Sequence, residues 1–560
     1  MVAFAALSWH RRWISDDGLI YVRVVRQILA GNGPVFNLGE RSEATTSALW
    51  TWLLAGASGA TRIAPATLAI MLSGALSLGA VALAMDATRR LRRRRGASEV
   101  IVPCGALVVI GASPFWDFAT SGLETGLVLA WLAVCWWLLV TASRALPVRR
   151  QFATAIAIGL GPLVRPELAL ASAVFAAAAW WLVRPRRPLV LVAAALALPI
   201  IYELFRAGYY AALVPLPALA KSAAEAEWGR GAAYAWHFVG TYFVWIPLAV
   251  AGAIGGSAWR RAAVAATPDE VGDRVRVIAP IAAGCALALY VLRVGGDFMH
   301  GRMMLAPVFA MLLPAMVVPV RRAIVPAIAI VGIWAVVTAI AVHRYHGTNW
   351  YADWDERRSY VHLTDDDHPT DPDEFARAIP VTAVYERARR DGWSNRVFSD
   401  VDGASTPLDP ALDVPVVIVA GMLGAGGVIT PLDGVAADRL GLANPIGARI
   451  APTHPGRVGH EKQLPWAWVL ADYGDPAHDD DHFDRATSGA AIRAARHAMR
   501  CGALAELLEA TRSPLSGARF LDNVTGAFAR TRLAIPTNPF DAERAFCGDR
   551  AAASGPAHAR

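Results

Sequence analysis

ATLAIMLSGALSLGAVALAMDATRRLRRRR, Ala66 to Arg95, decides what kind of protein this is. The apolar part is long enough to cross the hydrocarbon core of a bilayer, which takes about 20 residues. The arginines from Arg89 to Arg95 that follow mark its cytoplasmic end, because basic residues are retained on that side. Working outward, further apolar segments fall at 100–113, 118–141, 151–164, 168–183, 189–205, 234–256, 277–293, 303–319 and 323–343. Basic pairs recur in every second connection: Arg144 with Arg149 and Arg150, Arg184 with Arg186 and Arg187, Arg260 with Arg261, and Arg321 with Arg322. One orientation satisfies them all, with these loops inside and residues 13–65, 114–117, 165–167, 206–233, 294–302 and everything after 343 outside. A hydrophobic content of 55% and a mean hydropathy of +0.38 agree with a chain dissolved in lipid for more than half its length. The net charge of +7 is spent on orientation, in short arginine runs rather than one basic face, which argues against nucleic acid as a partner. Several of the 20 tryptophans (Trp136, Trp137, Trp180, Trp181, Trp259) lie near the ends of apolar runs, where such rings anchor at the headgroups.

The expected fold is therefore a polytopic α-helical membrane domain of about ten or eleven spans, residues 1–343, with a first outer loop at 13–65. Residues 344–560 follow as an extracytoplasmic α/β domain, signalled by the strand-like VPVVIV at Val414–Val419 and a helical stretch around Ala490–Leu508. The stub Met1–Trp9 is too short to span, and a first helix running outward is expected to be missing from it. Of the five cysteines, Cys104, Cys135 and Cys285 sit in apolar runs and read as inert thiols. Cys501 and Cys547 are alone in the tail and read as a disulfide, which an outer compartment permits.

Ionisable groups at span ends are expensive, so their distribution points to function. The outer ends gather mixed charge: Asp117, Glu124, Arg165, Glu167, Glu203, Arg206, Arg293, Asp297, His300 and Arg302. Each alone could be a paired or snorkelling interfacial residue, but together they predict a site at the outer face. In the first outer loop, Ser15-Asp16-Asp17-Gly18 opens an amphipathic helix through Leu29 expected to lie along the membrane, with Ser15 as its N-cap. Asp16 and Asp17 can be read as complements of the helix dipole, or as carboxylates facing a substrate whose lipid tail stays in the bilayer. Thr45, Thr46 and Ser47 can cap a second short helix.

The set SDDGLIYVRVVRQILAGNGPVFNLGERSEATTSALW, TSGLET (Thr120–Thr125), LVRPEL (Leu163–Leu168), GGDFMHGRMMLAP (Gly295–Pro307), LDGVAADRLGLANP and GHEKQLPWAW resembles the polyprenyl-phosphate-sugar-dependent glycosyltransferases of the type C fold. Within them the likeness is strongest to the arabinofuranosyltransferases of the actinobacterial cell wall. The resemblance implies transfer of arabinofuranose from decaprenyl-phosphate-arabinose to the non-reducing ends of arabinan, in arabinogalactan or lipoarabinomannan, on the outer face of the plasma membrane. A β donor giving a β product would be net retention, so one in-line displacement aided by a base does not suffice and a nucleophilic or same-face mechanism is implied, between which the residues do not choose. Arginines suit the departing phosphate, and Arg302, with Arg165, Asp297, His300 and Glu124, is the expected donor site. A carboxylate must stabilise the sugar cation or deprotonate the acceptor, and Asp16, then Asp17, are the catalytic candidates.

In the tail, His460, Glu461, Lys462 and Trp466 combine hydrogen-bonding groups with a flat apolar face and are candidates for acceptor binding, or equally for a packing edge. The acidic runs Asp365–His368 and His478–Asp484 lack the spacing of a calcium loop, so no metal site is assigned, though a divalent cation would fit the acidic composition. Competing readings are a hexose-transferring enzyme on the same type of donor and a lipid-linked sugar transporter or flippase. The repeated halves expected of a transporter are not evident.

Overall fold

The computed structural model describes residues 1–548 except 95–99, 223–224, 262–267, 343–354, 393–394, 400–404, 454–457 and 482–486. Arg95, the expected domain junction at 343/344 and the end of the His478–Asp484 run lie outside the described residues. Most of the described chain is helical, and among the described residues four helices have the length and apolarity to cross a bilayer: Pro65–Arg93, Pro188–Tyr210, Asp269–Arg293 and Arg322–Val342. Two more candidates are bent pairs, Pro114–Thr120 with Thr125–Thr141 at 111° and Trp228–Thr241 with Trp245–Ala253 at 82°. The other apolar runs form shorter helices, such as Cys104–Gly111, Val148–Gly159 and Leu168–Val183. This is a membrane protein.

The 111° break matters for the site. It falls in Ser121-Gly122-Leu123-Glu124, where Gly122 has φ +79° and a Cβ would sit 2.7 Å from Ile14. The Ser121 carbonyl, freed from a helix ladder, accepts the Ser15 N–H (2.9 Å), so the broken span is tied to the start of helix Asp16–Leu29. Ser15 also caps that helix by accepting the Gly18 N–H (3.0 Å), and Ser47 caps the next, Ala48–Thr61.

Helix Asp16–Leu29 does not lie open on a membrane surface, as its amphipathic pattern suggested. Residues from Gly18 to Val25 and Gln27 are buried, because a short glycine-rich helix of the C-terminal part, Leu423–Ile429, packs directly on it. The approach is close enough that a Cβ on Gly424 would meet the Asp16 carbonyl oxygen at 2.0 Å. Arg23, on the face that was expected to be wet, is completely buried. Its guanidinium donates to the carbonyls of Phe36 (2.7 Å), Gly427 (2.7 Å), Thr430 (2.8 Å) and Gly434 (3.1 Å), welding the loop to the tail, and burial pushes its pKa down to about 9.

The C-terminal part is α/β. Its four-stranded sheet runs Ser405–Pro407, Arg396–Ser399, Val416–Val419, Val435–Ala437, the first pair antiparallel and the others parallel. Val397, Val417 and Val419 face a core shared with Trp468, Ile492 and Leu507. The opposite face, through Phe398 and Ile418, joins the core that runs into the membrane helices. The helical stretch around Ala490–Leu508 is two helices, Gly489–Ala498 and Gly502–Arg512, divided where Cys501 pairs with Cys547 in a disulfide. Cys104 and Cys135 are buried, whereas Cys285 is exposed on its helix. Trp136 is not an interfacial anchor but lies in the core, its indole N–H donating to Thr88.

Candidate active site

A cavity of about 990 Å³ including its mouth lies where the first loop, the broken span and the segment Gly295–Met303 converge. Asp17, Tyr21, Glu124, Arg165, Asp297 and Arg302 line it. Arg302 donates through Nε to Asp297 Oδ2 (2.6 Å) and reaches Asp17 Oδ2 at 3.4 Å. Arg165 is gripped by Glu124 and Glu167, and Glu124 also accepts the Tyr21 hydroxyl (3.0 Å). Each guanidinium is thus held between two carboxylates, which fixes the orientation of its planar fork. The longest of these contacts is the one from Arg302 to Asp17.

A second cavity of about 520 Å³ shares Glu124, Arg165, Glu167, Arg302 and Met303 with the first. Its remaining walls are almost wholly apolar, with Val128, Leu129, Leu287, Val291 and Leu305 among them, and come from the membrane helices. The two arginines therefore stand where a cavity studded with charged side chains meets an almost wholly apolar groove.

Asp16 and Asp17, adjacent in sequence, have different surroundings. The Asp16 carboxylate accepts the amides of Gly424 (3.0 Å) and Ala425 (2.8 Å), so it caps the short helix of the C-terminal part. Asp17 lines the cavity. Beneath them lies a residue that reading the sequence missed. Glu356 is buried, its Oε1 accepts the Tyr360 hydroxyl (2.6 Å) and the Asp16 N–H (3.2 Å), and burial together with Asp17 and Asp16 pushes its pKa up to about 8. No local motif marks it; an acid opening a helix after an apolar span looks like a dipole complement.

His300 lines not the main cavity but a smaller polar one of about 400 Å³, with Arg11, Asp117, Tyr242 and Glu356. Burial pushes its pKa down to about 3, so it is a neutral imidazole there. The tail candidates are largely engaged in packing. Lys462 is buried and donates to the carbonyls of Leu219 (2.8 Å) and Ala448 (2.9 Å). Trp466 is buried under the Arg439 guanidinium, 4.4 Å from its ring centre. Glu461 pairs with Arg230 (2.8 Å), and the His460 ring stands edge-on to Phe298 at 5.0 Å. Of that segment, the neighbouring Val458 reaches the main cavity.

Among the described residues, the one grouping with three ligating atoms close enough for a metal is His497, Cys501 and Cys547, and two of these are the disulfide sulfurs. Carboxylates at the cavity are instead matched to arginine or tyrosine.

Residues 393–544 match the AftB family C-terminal domain. The terminal β-(1→2)-arabinofuranosyltransferase of Mycobacterium tuberculosis is 34% identical, over 96% of this chain and 94% of that protein. The protein of the same name from Corynebacterium glutamicum is 35% identical, over 96% of this chain and 85% of its own. No solved structure matches. With this identity carried across both the membrane helices and the C-terminal part, the chain belongs to the family of terminal β-(1→2)-arabinofuranosyltransferases.

Proposed function

We propose that this protein transfers an arabinofuranosyl residue from decaprenyl-phosphate-arabinose to the non-reducing ends of cell-wall arabinan. Support comes from its relatives and, above all, from the junction at Arg165 and Arg302 of a cavity studded with charged side chains and an almost wholly apolar groove. A donor with a sugar, a phosphate and a lipid tail matches that sequence of surfaces in order.

The donor phosphate competes for Arg302, whose contact to Asp17 at 3.4 Å is looser than its contact to Asp297 at 2.6 Å. Taking the phosphate releases Asp17 toward the sugar, while Asp297 keeps the guanidinium aligned. Arg165 adds a second fork. Charge-assisted hydrogen bonds from both stabilise the leaving phosphate as its bond to the anomeric carbon lengthens. Asp17 then meets the positive anomeric centre, as the base for the acceptor hydroxyl or as a nucleophile on the sugar. Asp16 serves by joining helix Asp16–Leu29 to the C-terminal part.

In this reading residues 1–343 form a membrane domain of about ten or eleven spans in the plasma membrane, residues 344–560 an extracytoplasmic domain, and the site opens on the outer face. The alternating arginine loops and the Cys501–Cys547 disulfide support that orientation. Glu124 acts as a holder of Arg165, and the His460–Trp466 segment as a rim along which arabinan approaches.

Purified protein incubated with labelled polyprenyl-phosphate arabinofuranose, mannose or glucose, plus a synthetic arabinan, tests the proposal. Label is expected in arabinan from the arabinose donor alone. Hexose transfer would replace the donor assignment, and donor movement across vesicles without transfer would replace the reaction.

A further inference from the structure

We infer that Glu356 is a positioning residue of the transfer site, a neutral carboxyl supplied by the C-terminal part of the chain that adds no charge beside the neighbouring Asp17 and leaves it free to face the sugar. The activity arm of this inference rests on the glycosyl-transfer reading above.

Glu356 opens helix Glu356–Thr364, for which Asp355 is the N-cap. Its two oxygens have different fates. Oε1 takes two hydrogen bonds, from Tyr360 and from the Asp16 amide. Oε2 is fully buried with no partner among the described residues, on a side chain that lines the small polar cavity. A buried carboxylate with one bare oxygen, beside two more carboxylates, is an expensive arrangement. A carboxylic acid is not, since Oε2 then carries a proton that it can donate into the cavity.

The charges around it favour that state. From helix Asp16–Leu29 it faces Asp16 and Asp17, and from its own helix Tyr360; Arg302 is near but already holds Asp297 and Asp17. Across the small cavity, Arg11 is neutralised by Asp117 at 2.5 Å, and His300 is neutral. Asp355 and Arg357 flank it on the cavity wall. Among the described residues, no cation is therefore paired with Glu356. When acids crowd together, one proton settles on the member with least solvation and leaves its neighbour charged. Asp16 accepts two amides and Asp17 is paired with Arg302, whereas Glu356 Oε2 has no partner among the described residues, so the proton belongs to Glu356. Ionising it would set a third negative charge against Asp17 and draw Arg302 away from the phosphate.

The test compares wild-type protein with Glu356→Gln, which imitates the neutral acid at every pH. Wild-type turnover is expected to fall as pH rises through about 8, whereas Glu356→Gln retains at least about a tenth of the neutral-pH turnover, keeps its donor KM and lacks that alkaline limb. A limb of unchanged midpoint in the variant, or no limb in wild type, overturns the inference. Thermal melting without ligand gives an independent arm. A carboxyl whose pKa is raised on folding loses stability as pH climbs from its unfolded value, about 4.3, to about 8, so melting of wild type should fall relative to Glu356→Gln across that window and run parallel above it. Parallel curves throughout, or failure of the neutral variant to fold, overturn the inference whatever the donor. Absence of turnover by wild type with every sugar donor counts against the transfer reading alone.

Discussion

Arg302 and Arg206 carry the same signal in the sequence, an arginine at the outer end of an apolar segment with acids nearby, yet they have opposite fates. Arg206 donates through Nε to Glu43 Oε2 (2.6 Å) and also pairs with Glu203, while the Tyr202 hydroxyl takes the other Glu43 oxygen (2.6 Å). It lines none of the three cavities. That cluster pins the first loop to helix Pro188–Tyr210. Arg302 has as many carboxylate partners, but one is held at 3.4 Å and the group borders both the charge-studded cavity and the apolar groove. The number of ion pairs therefore does not separate a strut from a site. A loose partner beside open volume does.

The comparison breaks most readily at Asp17. If Asp17 is the group Arg302 releases, Asp17→Asn should lower turnover by about a thousandfold, with melting close to wild type because Asn keeps the shape of the side chain. Turnover from labelled lipid donor within a few-fold of wild type would place Asp17 with the struts. At Glu43 the expectation reverses. Glu43→Gln leaves Arg206 without its buried counter-charge and should cost about 3 kcal/mol in stability, read by denaturation in detergent, with kcat/KM changed by a few-fold at most. A stable protein that has lost activity would move the Glu43 cluster into the site.

Asp16→Asn gives the smallest effect and divides the two neighbouring acids. Asn offers one acceptor oxygen where the carboxylate offers two to Gly424 and Ala425, so docking of the C-terminal part is loosened but not lost. Turnover should fall by about tenfold, with the pH profile unchanged. A loss as large as that of Asp17→Asn would make Asp16 the catalytic acid, as its place in the SDDG motif first suggested.

The sequence determined much that depends on local composition. Apolar runs with arginines at alternate ends specify membrane helices, because span length and charge retention are properties of single segments. Ser15 and Ser47 are readable as caps for the same reason, and two cysteines alone in a polar tail leave one partner each. Most candidates converge on one cavity system because a charge at a span end is costly wherever the chain goes afterwards. Only the tertiary structure decided what depends on distant approach. It divided Asp16 from Asp17, since what separates them is the pair of amides at Gly424 and Ala425, some four hundred positions away. It buried Arg23, most of whose carbonyl partners lie on the tail, and gave Lys462 and Trp466 buried contacts with Leu219, Ala448 and Arg439. It also brought Glu356 beneath the two aspartates. A helix start with an acid is found in many chains, and nothing within a few residues of Glu356 specifies that a second carboxylate will be waiting there.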